Sequence, residues 1–254
     1  MTAQGNNYIY LDNRDLCYDK LDFNALSRDV SDIRFGIGSD GLVVINKDAE
    51  ADCFMRIFNS DGSEAKMCGN ALRCVAYLIS LKSSKSHVSI NTLSGIKTAH
   101  VNLEESSVKV NMGMPKLIKE YDSSSLAGNL VDIGNLHLIV NKDRHNLTRD
   151  EFLSLAQEKQ ESPDFPDGVN IELIEILSRD KISALVYERG SGLTYACGSG
   201  ATALFWDCYR KGLVAKTATI NLDGGDIKVS LKNNNVILEG QIRIVCKGTF
   251  YWSI

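Results

Sequence analysis

The chain has 254 residues, 44% of them hydrophobic and 24% charged, with a formal net charge of -4, which is enough apolar sequence for one large or two modest cores. No Lys/Arg-rich run provides an electrostatic footprint for phosphate backbones or anionic lipid, so neither nucleic acid nor membrane is an expected partner. The opening Met1-Thr2-Ala3-Gln4-Gly5-Asn6 has no basic start and no apolar core, and no later apolar run approaches the roughly 18 residues of a membrane span, so the expected compartment is the cytoplasm.

In chain order, strands are expected at Tyr8 to Leu11, Leu42 to Ile45 and Phe54 to Phe58. Between the first two, Gly36-Ile37-Gly38-Ser39-Asp40-Gly41 fits the Gly-x-Gly-x-x-Gly dinucleotide fingerprint. An extended Leu42-Val43-Val44-Ile45 run follows where that fingerprint needs a helix, so the segment reads as a turn. After Cys68, the spacing of Ala71, Leu72, Val75, Ala76 and Ile79 predicts a helix. Ala99, Val101 and Leu103, then Val108, Val110 and Met112, alternate around Glu104-Glu105-Ser106-Ser107 and predict a hairpin.

Leu136 to Val140 reads as a further strand, and Thr148 with Glu151 forms a capping-box pattern ahead of Phe152, Leu155 and Ala156, which predicts a helix. Strands follow at Val169 to Ile176 and Ile182 to Tyr187, and a helix after Cys197 with Ala201, Leu204, Phe205 and Cys208 on one face. The last strands are Ile220 to Leu222, Ile227 to Leu231 and Val236 to Leu238, with turns at Gly224-Gly225 and Asn233-Asn234-Asn235.

The two halves repeat. Gly62-Ser63-Glu64-Ala65-Lys66-Met67-Cys68-Gly69-Asn70 resembles Gly190-Ser191-Gly192-Leu193-Thr194-Tyr195-Ala196-Cys197-Gly198-Ser199 apart from one extra residue, and each segment links a strand to a helix. Such a duplication implies two similar domains, with the two thiols expected on opposite walls of a shared cleft.

Two thiols suit the inversion of an α-carbon without a cofactor, where one group takes a proton from one face and another supplies a proton to the other. A free thiol titrates at about 8.5 and a helix N-terminus lowers that value, so thiolate base and thiol acid can coexist near neutral pH. The unpaired amides at Gly69-Asn70 and Gly198-Ser199 would hold the substrate carboxylate as negative charge develops on it. Taken singly, Cys68 and Cys197 would read as buried structural thiols; their shared context sets them apart. Cys17, Cys53, Cys74, Cys208 and Cys246 lack that context and read as packing thiols, and neither a metal site nor a Cys-x-x-Cys redox motif is indicated.

Phe58-Asn59-Ser60-Asp61-Gly62-Ser63-Glu64 leading to Met67-Cys68-Gly69-Asn70, and Tyr187-Glu188-Arg189-Gly190 leading to Ala196-Cys197-Gly198-Ser199-Gly200, resemble the diaminopimelate epimerase family over nearly the whole chain. That resemblance implies an α/β fold of two pseudo-symmetric domains, each a curled β-barrel-like sheet around a central helix: 1–113, joined by a C-terminal strand 241–254, and 114–240. It implies a cofactor-independent isomerase acting on LL- and meso-diaminopimelate, working as a homodimer, with Cys68 as donor and Cys197 as acceptor in the LL-to-meso direction. Substrate contacts carry over to Asn6, Asn59, Asn135, Asn170, Glu188 and Arg189 and to the amides of Gly69, Asn70, Gly198 and Ser199, while His137 and Glu188 match positions that tune the cysteines.

Arg189 suits a distal carboxylate and the asparagine carbonyls a distal ammonium. On residue type alone, Asn135 equally fits a turn, His137 a satisfied core histidine and Glu188-Arg189 a solvated strand end. The sequence departs from the family pattern at Asn135-Leu136-His137 for Asn-Pro-His, at Ala71 for the second glycine of Cys-Gly-Asn-Gly, at Gly41 for a substrate-contacting Gln of some members, and at the N-terminus, where the first strand is expected to be missing or clipped. A racemase of another amino acid such as histidine, and a silent amino-acid-binding protein, remain as alternatives.

Overall fold

The computed structural model of the chain, which describes residues 1–16, 18, 20–123 and 125–252, resolves the alternating sequence into two units, Met1–Val110 with Gly240–Ile254 and Asn111–Glu239. In the first unit, strand Asn6–Asp12 runs parallel to Gly41–Asn46 with Tyr8 opposite Gly41. A parallel pair needs a crossover, and helix Phe23–Ser31 supplies it. The Asp22 side chain caps this helix by accepting from the Asn24 and Ala25 amides at 3.0 Å. Phe23, Leu26 and Val30 then pack on Leu42, Val44 and Phe58.

Gly41–Asn46 pairs antiparallel with Cys53–Asn59, which pairs antiparallel with the short strand Glu64–Ala65 and parallel with His87–Asn91. Helix Gly69–Ser83 lies between these last two in sequence. It packs against Thr2–Ala3, Asn6–Asp12, Cys53–Asn59, His87–Asn91 and Lys97–Asn102, so the sheet curls around it. A helix enclosed in this way is largely apolar around its circumference, and Ala71, Leu72, Cys74, Val75 and Ala76 are all fully buried, with Arg73 a buried charge among them. The hairpin of Lys97–Asn102 with Ser107–Gly113 follows, turning through Ser106 at φ 50°.

The second unit repeats the order. Leu136–Asn141 runs parallel to Asn170–Ser178, and helix Arg149–Gln160 connects them. Thr148 and Glu151 form the reciprocal capping box, and Phe152 and Ala156 pack with Leu138, Val140, Ile171 and Leu173. Lys181–Glu188 pairs antiparallel with Asn170–Ser178 and with Gly192–Thr194, and parallel with Thr217–Leu222. Helix Gly198–Arg210 packs against Ala127–Asp132, Leu136–Asn141, Asn170–Ser178, Thr217–Leu222 and Gly225–Lys232, a second sheet curled around a second central helix. Asn233 and Asn234, both at positive φ, turn Gly225–Lys232 into Asn235–Gln241.

Several elements differ from the sequence expectation. Helix Phe23–Ser31 and strands His87–Asn91, Lys116–Asp122 and Ala127–Asp132 are additional. At the N-terminus, Thr2–Ala3 forms a two-residue strand paired antiparallel with Asn6 and Asn7. Among the described residues of the segment 241–254, those from 242 to 252 are not a strand: Arg243 makes one isolated bridge, to Thr2. Residues 243–249 are exposed, Ile244 and Val245 among them. The tail is held instead by Phe250 and Trp252, which pack against the Phe23 cluster, and by Trp252 Nε1 donating to Asp29 at 2.6 Å. Cys246 lies in that exposed stretch and is not a packing thiol; Cys17 falls outside the described residues.

Candidate active site

In the first unit, Cys68 is the N-cap of the central helix, with extended backbone at φ -141° and ψ 120°. Its Sγ takes the place of a capping hydroxyl and accepts from the Ala71 amide at 3.5 Å. The thiol also reaches Asn6 Oδ1 at 3.5 Å, and Asn6 is oriented by donating through Nδ2 to Asp40 at 2.9 Å. Gly69 and Asn70 open the helix and are both buried, and amides in the first turn of a helix have no intrahelical acceptor. Asn59 ends strand Cys53–Asn59 and donates to Ser63 Oγ at 3.0 Å. At Gly41 no side chain fits, since a Cβ there would stand 2.1 Å from the Phe58 carbonyl oxygen.

The second unit places Cys197 in the same way, as the N-cap of Gly198–Arg210 at φ -122° and ψ 117°. Its Sγ accepts from the Gly200 amide at 3.4 Å and lies 3.3 Å from Ser199 Oγ. Unlike the half-buried Cys68, Cys197 is buried. Burial pushes its thiol well above the ordinary value, and the negative charges of Glu188 and Glu172 push the same way, against the hydrogen bonds from Ser199 and Gly200. Glu188 is raised by its own burial, opposed by hydrogen bonds from Thr194 and Cys197; Thr194 Oγ1 donates to it at 2.5 Å. A carboxylate and a thiol that share a hydrogen bond in a dry site hold the proton on sulfur.

The remaining residues expected at the site gather around Cys197 in part. Asn135 Nδ2 donates to Ser199 Oγ at 3.4 Å. Asn170 donates to the Leu136 carbonyl at 2.8 Å and accepts from the Arg189 amide at 3.1 Å, which fixes the end of strand Lys181–Glu188. The Arg189 side chain is exposed and donates to the Asp167 carbonyl at 2.6 Å. His137 is fully buried, with Nδ1 2.6 Å from Glu172 Oε1. Glu172 was not among the expected residues. It packs so close to the helix start that a Cβ at Gly200 would stand 2.4 Å from its Oε1. Thr194 was also missed. The signal for Glu172 was available, as an acid pointing inward within the apolar run Val169 to Ile176. Among the described residues, no group of three or more His, Cys, Asp or Glu is placed to hold a metal ion. A surface hollow lined by Leu147, Asp150, Glu151, Ser154 and Leu155 contains none of the residues above.

The fold is that of solved racemases and epimerases. A predicted epimerase from Pseudomonas aeruginosa superposes with a TM-score of 0.71 at 13% identity, over 97% of this chain and 93% of that one. A hydroxyproline epimerase from Agrobacterium vitis gives 0.63 at 16% identity, over 84% and 76%. A phenazine biosynthesis protein from Bacillus anthracis gives 0.67 at 17%, over 95% and 92%. Within this fold the chain belongs to the diaminopimelate epimerase family, whose model matches residues 1–118 and 129–245. Relatives from Bacillus mycoides and Bacillus cereus, both named diaminopimelate epimerase, are 35% identical over 280 aligned positions, covering 100% of this chain and 96% of theirs.

Proposed function

We propose that the chain is an isomerase that inverts one α-carbon of diaminopimelate, LL to meso, by two-base exchange between Cys68 and Cys197 without a cofactor. The observation that carries the reading is the duplicated cap: in each unit a cysteine closes the N-terminus of the central helix, beside helix-start amides suited to a carboxylate. One sulfur, as thiolate, takes the α-proton and becomes a thiol. The C–H electron pair passes into the carboxylate, whose enediolate form the first-turn amides hold. The other sulfur, as thiol, returns a proton to the opposite face and becomes the thiolate. No proton is gained or lost overall, and the two sulfurs exchange roles with each turnover.

In the LL-to-meso direction the donor is Cys68 and the acceptor Cys197. The buried, acidic surroundings of Cys197 keep its proton in place in the free protein, so that form is poised for the reverse direction. Arg189 and the asparagines Asn6, Asn59, Asn135 and Asn170 serve the substrate's carboxylate and ammonium groups, and His137 with Glu188 tunes Cys197. The reaction is placed in the cytoplasm and the working form is a homodimer, which sedimentation of the purified protein would establish.

The reading is tested by incubating the protein in D₂O with diaminopimelate, histidine, lanthionine and other amino acids while following α-deuterium uptake and optical rotation. Exchange and inversion are expected with diaminopimelate alone. Turnover of another amino acid in its place would overturn the substrate, and no exchange with any would overturn the activity. Cys68→Ala and Cys197→Ala should each lose about 10²- to 10⁴-fold or more in kcat, the worth of a positioned proton-transfer group, with an unchanged circular dichroism spectrum.

A further inference from the structure

Arg73 lies one turn into the first central helix and has no exposed surface. Its Nη2 donates to Asn70 Oδ1 at 2.6 Å, while Nε and Nη1 are buried with no hydrogen-bond partner among the described residues. A buried guanidinium is ordinarily matched by a carboxylate, because an uncompensated buried charge is costly. Here the groups acting on its charge are Cys74, Cys68 and Tyr10, with no carboxylate among them. Burial lowers Arg73 to about 10, so it remains a cation at neutral pH.

Two of its three neighbours cannot supply the balancing charge. Burial raises the Cys74 thiol, which faces Tyr10, Arg73 and the Met1 ammonium. The Tyr10 hydroxyl, on strand Asn6–Asp12, is raised well above its usual range by burial and by Cys74, Cys68 and Tyr8. Cys68 is only half-buried, and its place at a helix N-terminus and the hydrogen bond it accepts from the Ala71 amide favour sulfur as an anion. The contact from its thiol to Asn6 Oδ1 at 3.5 Å is made only by the protonated form, so of the three it is the group able to exchange its proton for the balancing charge.

We propose that Arg73 is a positioning residue of the first unit: it is the charge partner of the Cys68 thiolate, and its bond to Asn70 fixes the helix-start residue next to the reacting sulfur. The assignment rests on Cys68 being one of the two reacting thiols. It makes Cys68 the resting thiolate in the free protein and gives a buried, unpaired cation a reason to be there.

The test is the pH dependence of Cys68 alkylation by iodoacetamide, followed by peptide mass mapping in the full chain without substrate, so its outcome does not depend on which amino acid is turned over. In the parent protein the Cys68 midpoint should lie below the ordinary thiol value of about 8.5. Arg73→Met should raise that midpoint by about one pH unit or more, with a corresponding roughly tenfold loss of alkylation rate at neutral pH. Arg73→Lys should restore most of the midpoint. It should still turn over substrate with a raised KM, because an ammonium cannot reproduce the guanidinium's fixed grip on Asn70. A parent midpoint at or above the ordinary value overturns the proposal whether or not either variant folds. So does a folded Arg73→Met protein with the parent's midpoint. A low midpoint in a protein that epimerises nothing would leave the charge pair standing and remove only its catalytic use.

Discussion

Glu188 exerts the largest effect on the Cys197 thiol after burial itself, ahead of Glu172. Replacing it with glutamine keeps the shape and an acceptor for Thr194 and removes the charge. Glu188→Gln should therefore lower the alkylation midpoint of Cys197, leaving it above the ordinary thiol value because the burial remains. Alkylation of the two proteins across pH, read at the Cys197 peptide, decides this, and an unmoved midpoint would show that Glu188 does not govern the sulfur. Cys68 and Cys197 were legible in the sequence because duplication wrote the same Gly-Ser and Cys-Gly context twice. Arg73 was not, because it stands alone within the apolar stretch Ala71 to Ala76 and its meaning depends on its depth of burial; Glu172 offered a signal as an acid inside an apolar run, but its partner lies far off in the chain. Glu172 and His137 are 35 residues apart in sequence yet in contact at 2.6 Å, and no local pattern announces such a pair.

At the scale of elements, legibility followed the strength of the periodic signal. Helix Arg149–Gln160 declared itself through its cap, and the structure closes the box in both directions: Thr148 accepts from the Glu151 amide at 3.3 Å and Glu151 accepts from the Thr148 amide at 2.9 Å. Thr148→Ala should cost the unit Asn111–Glu239 about 1 kcal/mol, as is usual for a lost cap. Urea unfolding of the full chain would read this as a lower midpoint with an unchanged slope, and an unmoved midpoint would mean that packing of Phe152 and Ala156 alone holds the helix. Helix Phe23–Ser31 was missed because it carries only three large apolar residues, Phe23, Leu26 and Val30, with Ser27 where a fourth would stand. Strand Lys116–Asp122 had no alternation to read. Only Tyr121 is buried along it, and its pairing with Ala127–Asp132, rather than any apolar face, makes it a strand.

Across the whole molecule, titrating groups set opposite limits on stability. On the acid side, hydrogen bonds from Arg14 and then Lys82 hold Asp12 well below the ordinary carboxylate value of 3.8. Its contribution is present above that pH and is lost as pH falls through the lowered value. On the alkaline side, burial raises Cys53 in the first unit and Cys208 in the second from 9.0 to about 12. Between those values the folded chain holds protons that the unfolded chain has released, so stability is complete below about pH 9 and declines above it. The decline is about 1.4 kcal/mol per pH unit for each such thiol. Cys208→Ala removes one of them without adding a charge, so its stability should fall less steeply than the parent's between pH 9 and pH 11, by about that amount per unit. Urea unfolding of both proteins at intervals across this range measures the two slopes. Because only the difference between proteins is read, the titration of lysines and exposed tyrosines common to both cancels. Parallel slopes would mean that the Cys208 sulfur ionises within the folded state, and hence that water reaches the inner face of the second central helix.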